Sequence, residues 1–535
     1  MIEAIKKLVI KAIKQAKNRD DLEIIKREFC KTYKLSAITN AQILKTYKEL
    51  VNKHKVNKSQ SFEKLLRKRS IRTLSGIAPV AVLTKFYPCP GNCAYCPHQK
   101  DVPVSYLSNE PAVMRAIRCD YHPYKQVVWR LKALENNGHE PTKMEVIVIG
   151  GTWSYLPKRY KYWYILNCFR AANDFNKIKK EQKGEDLVLN KIKLPYSQKL
   201  SQKKLEEYLK IEQKKNEKAK YKIIGLTLET RPDYINEDEL EEMRDLGCTR
   251  IEVGVQAIDD KILDLNKRGH GVKETVMATL LMRRYGFKIT YHLMPALPGS
   301  TPAKDYAMFK KIFSDSRFQP DQIKFYPTVV VKGSLLYTWF KQGKYKAYTN
   351  KQLQDLIIKC KKIVPPYVRI IRLIRDIPGE SIEAGNKITN LRQIMKDRGV
   401  KCNCIRCREA KEEVLKKWQI NVKEYQAAEG REFFISVDSD DNKTLYGFCR
   451  LRLDEKSKIS PAIIRELHVY GELTSVGTDG KVQHLGLGKE LIKKAEEITR
   501  AHKIKKISII SGVGVRDYYR KLKYQLKDGY MVKKL

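Results

Sequence analysis

The sequence lacks any apolar run approaching the roughly 20 residues that a bilayer-spanning helix needs. That argues against a membrane span. It is short of acid: 61 Asp and Glu stand against 106 Lys and Arg, a formal charge of +45. Such an excess opposes compaction and calls for a polyanion, nucleic acid first and an anionic membrane surface second. It lacks a secretory core, because lysines break the apolar pattern of Met1-Ile2-Glu3-Ala4-Ile5-Lys6-Lys7. It also lacks a disulfide framework. Of 12 cysteines, Cys30, Cys119, Cys168, Cys248, Cys360 and Cys449 are scattered and the other six form two tight clusters. Clusters of that kind predict metal sites in a reducing, cytoplasmic setting.

What is present suffices for about three domains, at roughly 100–200 residues each over 535 residues. Residues 1–75 read as a basic helical region for nucleic-acid contact. Apolar residues recur there at helical spacing (Ile5, Leu8, Val9, Ala12), and the stretch ends in the cluster Lys64, Arg67, Lys68, Arg69. Residues 76–375 change character. Short β-rich runs at Val80–Tyr87, Glu145–Ile149, Ile223–Leu228, Arg250–Val255, Lys288–Leu293 and Ile323–Val331 alternate with helical stretches. This predicts an α/β architecture, a partial (β/α)6 barrel with its chemistry at the C-terminal ends of the strands. A Lys-rich insertion, 176–222, interrupts it. Residues 376–425 read as a linker, and 426–535 as an α+β domain with strands at Glu432–Val437, Thr444–Leu453, Ile463–Val469 and Lys506–Ile510.

Cys89, Cys93 and Cys96 form C-x3-C-x2-C directly after the first strand. Three thiolates on one loop can hold three irons of a [4Fe–4S] cube and leave the fourth open to chelate S-adenosylmethionine. A structural zinc site, which prefers four ligands, fits the trio less well. These residues resemble the radical S-adenosylmethionine superfamily. The resemblance implies cofactor contacts from Gly150 and Gly151 after the second strand, which otherwise make only a turn. Glu229 and Arg231 after the third strand are cofactor or substrate ligands or an ion pair with one another. Gln256 follows the fourth strand, and His292 lies in the fifth.

Near the C-terminus, Gln483-His484-Leu485-Gly486-Leu487-Gly488 lies between a strand and a helix, the context of a pyrophosphate cradle. This resembles the GNAT acetyltransferases. It implies that Glu466, Leu467, His468 and Val469 line the pantetheine of acetyl-CoA, and that Gln483, Gly486 and Gly488 hold its pyrophosphate. Tyr518 or Tyr519, with Tyr519 preferred, would protonate the leaving thiolate. Cys402, Cys404 and Cys407, C-x-C-x2-C before this module, suggest zinc with a fourth ligand from elsewhere, a second iron–sulfur cluster being the alternative.

Both modules on one chain, with stretches such as Leu228-Glu229-Thr230-Arg231-Pro232-Asp233-Tyr234, Asn266-Lys267-Arg268-Gly269-His270 and Ile510–Arg520, resemble the Elongator catalytic-subunit family in its archaeal stand-alone form. One departure is Cys96-Pro97-His98-Gln99, where the family carries a glycine pair. The resemblance implies a tRNA-modifying acyltransferase. It would use S-adenosylmethionine radical chemistry and acetyl-CoA to place a carboxymethyl group on carbon five of the wobble uridine. It further implies a role for Lys143 at acetyl-CoA, an external electron donor, and tRNA contacts from Lys267 and Arg268 beside the N-terminal cluster; a homodimer is compatible with it. Two rivals stand beside this reading: a protein lysine N-acetyltransferase with a structural iron–sulfur barrel, and a non-catalytic tRNA-binding scaffold.

Overall fold

The structure, a computed structural model, describes residues 2–67, 76–181, 192–410, 417–471 and 486–535. Lys68, Arg69 and Gln483 lie outside the described residues. Four helices, α1 (Ile2–Gln15), α2 (Arg19–Thr32), α3 (Asn40–Asn52) and α4 (Gln60–Leu66), form an N-terminal bundle. Asn18 and Thr39 close capping boxes on α2 and α3. The bundle has its own core of Ile5, Leu8, Val9, Leu22, Ile43, Tyr47 and Phe62.

The first sheet runs β1 (Ala78–Leu83), β2 (Lys143–Ile149), β3 (Lys222–Thr230), β4 (Arg250–Gln256), β5 (Lys288–Leu293) and β6 (Gln322–Phe325). β7 (Val330–Val331) leaves it, β8 (Arg369–Arg372) follows β6, and β9 (Ile382–Ala384) pairs with β7. The sheet order is β1-β2-β3-β4-β5-β6-β8, and every pairing is parallel. β1 and β8 are the edges, so the barrel is open. The expected sixth strand, Ile323–Val331, divides into β6 and β7, and β8 adds a seventh strand. Alternation along each strand sets two faces. On β2, Met144, Val146 and Val148 enter the core beneath the helices, while Glu145, Ile147 and Ile149 face inward onto a cavity.

The second sheet has the order β10-β11-β12-β13-β14-β16-β15. Its strands are β10 (Trp418–Ala427), β11 (Gly430–Ser439), β12 (Leu445–Leu453), β13 (Ala462–Val469), β14 (Lys506–Ile509), β15 (Gln525–Lys527) and β16 (Tyr530–Lys534). All pairs are antiparallel except β13–β14. β10 begins eight residues before the boundary expected at 426, because its exposed, mixed composition hides an edge strand.

The second domain packs on the N-terminal ends of the first sheet's strands, opposite the cysteine loop. Gly512 lies so close to the carbonyl of Ile224 in β3 that a side chain there would overlap it. Arg465 in β13 makes two contacts, 2.7 and 2.8 Å, to Asp321 at the start of β6. Asp321 also meets Arg283 at 3.3 Å and Arg450 at 3.6 Å, and Glu432 meets Arg465 at 2.7 Å, Arg283 at 2.9 Å and Arg452 at 3.2 Å. Asp454 and Glu466 take the remaining charge of Arg452 and Arg450. Four arginines and four carboxylates thus balance inside one buried interface.

Removing one member of such a network leaves buried charge uncompensated, at a cost of about 3–5 kcal/mol. Asp321→Ala is expected to lower the denaturant midpoint accordingly; an unchanged midpoint would show that the interface does not depend on the network. Acid should act in the same direction. Burial pushes both carboxyls up, but the arginines hold Asp321 far below the usual carboxylate range, and Lys288 with Arg450 holds Glu466 at about 2. Both sit below their unfolded values of about 4. Their contribution is therefore present above about pH 4.5 and lost as pH falls toward 2, measurable as a declining midpoint across that window.

Candidate active site

The loop after β1 carries Cys89, Cys93 and Cys96 and is tied down by its own backbone. Ala94 N donates to Asn266 O at 3.0 Å, Leu336 N to Ala94 O at 2.7 Å, and His98 N to Gly333 O at 3.0 Å. The last contact secures the stretch Pro97-His98-Gln99. Arg268 is buried, donating to Cys93 Sγ at 3.4 Å and to Gly254 O at 2.6 Å. The hydrogen bond with Cys96 and the charge of Arg268 bring the Cys93 thiol down to about 5 against the effect of burial. Arg231 grips Asp233 at 2.8 Å and the Arg268 carbonyl at 2.9 Å. Glu229 instead meets His292 at 3.3 Å, so Glu229 and Arg231 do not pair with one another.

The three thiols are free, and Arg231 Nη1, Arg268 Nε and Gln256 Oε1 around them are buried without a hydrogen-bond partner among the described residues. Soft sulfur donors on one loop, ringed by unsatisfied polar atoms, fit a [4Fe–4S] cluster with a chelated cofactor. Gly150 and Gly151 follow β2 at φ +131° and +107°. A side chain at Gly150 would overlap Thr84 Oγ1, whereas none of the described atoms lies within 4 Å of one at Gly151. Gly150 thus supplies the tight turn, and Gly151 leaves backbone open for close approach.

At the other end, β13 and β14 pair through Ala462–Ile507, Ile463–Ser508 and Ile464–Ile509 and then part. Backbone at Glu466, Leu467, His468 and Val469 is thereby released by β14, as a pantetheine arm requires. The helix Leu487–Ala501 starts from Gly486 in the left-handed region, φ +78°, with first-turn N–H groups for anion binding. A methyl added at Gly488 would lie 2.7 Å from the Tyr518 hydroxyl, and burial raises that phenol to about 12. Tyr519 is 6% exposed and packs on Tyr524 in the core. Tyr518, rather than the preferred Tyr519, therefore lies beside Gly488.

A cavity of about 1070 Å³ joins these ends. The cysteine loop lines one end of it, and Phe448, Arg450, Glu466, His468 and Tyr470 of the second domain line the other. Between them runs a buried polar ladder. His292 Nε2 contacts Glu252 at 2.8 Å, and Lys324 pairs with the same carboxylate. Arg250 meets Glu145 at 3.1 Å and Gln322 at 2.7 Å, and Lys288 meets Glu466 at 3.6 Å. Burial and Lys324 oppose protonation of His292, but Glu229 and Glu252 outweigh them and raise its pKa. Burial works against ionisation of Glu229, yet His292 and Lys324 hold its carboxyl down. The ladder escaped motif reading, although charges alternating along parallel strands, which are ordinarily apolar on both faces, are its signal.

Residues 85–311 match the Radical SAM superfamily, 320–399 the Radical_SAM C-terminal domain and 401–524 the Acetyltransferase (GNAT) family. A tRNA uridine(34) acetyltransferase of Dehalococcoides mccartyi is 42% identical over 88% of this chain and 100% of its own. Elongator complex protein 3 of Schizosaccharomyces pombe is 38% identical over 89% of this chain and 88% of its own. The solved archaeal Methanocaldococcus infernus Elp3 with an N-terminal deletion superposes with a TM-score of 0.70 at 36% identity, over 86% of this chain and 99% of that one.

The chain belongs to the Elongator protein 3 family. Its radical SAM and GNAT domains imply a [4Fe–4S] cluster, S-adenosylmethionine and acetyl-CoA.

Other sequence expectations divide. Lys143 is the first residue of β2 rather than lying before it, and is paired in register with Lys222 at the end facing the acetyltransferase domain. Burial and Lys222 lower its pKa. Lys64 and Lys267 are exposed, while Arg67 is half-buried against the turn at Gly138. Arg268 corrects an expectation: inside the site, its guanidinium faces a cluster cysteine rather than solvent, so it does not present a surface contact to RNA. Cys402, Cys404 and Cys407 bring their sulfurs within 4.8 Å of one another, as ligands of a single ion do.

Strain decides a test. Gly150→Ala is expected to abolish S-adenosylmethionine binding by calorimetry while the circular dichroism spectrum persists. Gly151→Ala, with space but a positive φ, should cost about 1–3 kcal/mol of that binding. Equal affinities for both variants and wild type would place the cofactor elsewhere.

Proposed function

We propose that this chain modifies the wobble uridine of tRNA, placing a carboxymethyl group on carbon five with the use of S-adenosylmethionine and acetyl-CoA. The observation that carries the reading is the single cavity shared by the cysteine loop and β13. An acyl group held by one domain reaches the other without leaving the protein. Carbon five of uracil is not electrophilic, so ordinary acyl transfer cannot use it, and the pairing of a radical domain with an acetyltransferase domain answers that need.

Cys89, Cys93 and Cys96 would hold the cluster; Gly150, Gly151, Glu229, Arg231 and Gln256 would bind S-adenosylmethionine. When bound, these groups supply a carbon radical after reduction by an external electron donor. Arg268 keeps Cys93 anionic and orients the loop. His292, gripped between Glu229 and Glu252, carries a proton within the cavity. Glu466, Leu467, His468 and Val469 would hold the pantetheine, Gly486 and Gly488 with Gln483 the pyrophosphate, and Lys143 would assist from the edge of the sheet. Tyr518 would protonate the departing thiolate sulfur. Cys402, Cys404 and Cys407 would bind zinc with a ligand from elsewhere. Lys64 and Lys267, with Arg67, Lys68 and Arg69, would contact tRNA phosphates, giving an affinity that falls steeply with salt.

Anaerobically reconstituted protein, given a reductant, both cofactors and tRNA, is expected to yield the modified nucleoside by mass spectrometry, and Cys93→Ser to yield none. Label on protein lysine with unmodified tRNA would overturn the reading in favour of a lysine acetyltransferase. Tyr518→Phe should slow release of free thiol from acetyl-CoA by about a hundredfold or more, the usual worth of a general acid. Tyr519→Phe should leave it within a few-fold; the reverse result would restore Tyr519 to that role.

A further inference from the structure

The cavity wall built by β8 and the segment after it carries more positive charge than its carboxylates offset. Arg369 is taken by Glu409 at 2.7 Å and by the Tyr470 hydroxyl at 2.9 Å. Arg372 pairs with Asp376, and Arg375 with Glu110 at 3.2 Å. Arg392 donates to the Ile370 carbonyl at 2.8 Å. Arg406 lines the same cavity, half-buried, and no ion pair or hydrogen bond reaches its guanidinium among the described residues. It faces the like charges of Arg369 and Arg392, with Glu409, already engaged, and Cys404 on the opposing side. Lys387 is exposed on that wall and also has no acidic partner among the described residues. A half-desolvated guanidinium among its own kind is costly unless an anion completes the group.

Arg406 is held in place from both sides. It sits between Cys404 and Cys407, whose sulfurs converge with that of Cys402. Its neighbour Ile405 is fully buried and donates its N–H to Val368 O at 2.9 Å, and Cys407 N closes on Cys404 O at 2.9 Å. The charge is thus carried on a pinned turn rather than a loose loop, which reduces the ordering cost of binding.

β8 is one edge of the sheet, and Pro79 and Ala81 of the other edge, β1, line the same cavity. A base extruded into that cavity draws its own backbone against the wall. The phosphates of acetyl-CoA have a separate cradle at the start of the helix Leu487–Ala501. We propose that Arg406, with Lys387 on the same wall, binds the phosphodiester flanking the extruded uridine, and that the Cys402–Cys407 turn serves to fix Arg406 there. The inference rests on the tRNA reading above and adds to it a residue that positions the reacting nucleotide.

The test measures binding rather than turnover. Affinity of the full-length reconstituted protein for a fluorescent anticodon stem-loop RNA is followed through a salt series, and affinity for CoA alone is measured in parallel. Arg406→Gln should weaken RNA binding and flatten the slope of log affinity against log salt by about 0.7, the value of one single-strand phosphate contact. Arg406→Lys should keep the slope but not the full affinity, since the bidentate fork is lost. CoA affinity should not change in either variant. If Arg406→Gln leaves RNA affinity and slope as in wild type, the inference fails. If CoA affinity falls instead, the anion belongs to the cofactor and the inference also fails. Should wild-type protein itself bind the RNA without salt dependence, the tRNA reading fails first.

Discussion

The joining of the two domains depends on the buried contact of Arg465 with Asp321 and Glu432. It lets the acetyltransferase sheet seal the N-terminal end of an open barrel, so that one cavity runs from the cysteine loop to β13. A hydrophobic interface of the same size could hold the domains at least as tightly, since buried ion pairs seldom exceed apolar packing in net stability. What charge adds is direction. The forked guanidinium of Arg465 accepts only one arrangement of its two carboxylates, which fixes β13 relative to β6. Glycines at the same face, Gly512 above all, admit the backbone contact that a side chain would hold apart.

The interior thereby created is unusual for parallel strands. Instead of interlocked aliphatic layers it holds Glu145, Arg250, Glu252, His292 and Lys324, each satisfied mainly by a neighbour in the ladder. Such a polar lumen tolerates water and a charged acyl carrier, while the apolar faces of the same strands bind the surrounding helices. One strand therefore serves two solvents, and the period of two in its sequence is the reason.

Much of this was legible in the residues. The cysteine spacing and the Gly486–Gly488 context pointed to the two domain families that the chain matches, and Lys288–Leu293 matched β5 to the residue. What escaped was whatever depends on packing across the chain. Asp321 and Arg465, separated by 144 positions, carry no local pattern that marks them as partners. Arg268, by sequence one more basic residue beside Lys267, is turned inward by a single change of backbone direction, with Lys267 at φ +53°. Tyr518 and Tyr519 are adjacent and alike, and only the helix they share, by pointing one to Gly488 and the other to Tyr524, distinguishes them. β10 was missed because an exposed edge strand need not alternate.

The N-terminal bundle keeps a hydrophobic core separate from the continuous one beneath both sheets. A core of its own lets helices α1–α4 loosen on warming, or be replaced in evolution, while the cavity beneath the two sheets keeps its walls. The bundle and the cavity are thus independently adjustable parts of one polypeptide.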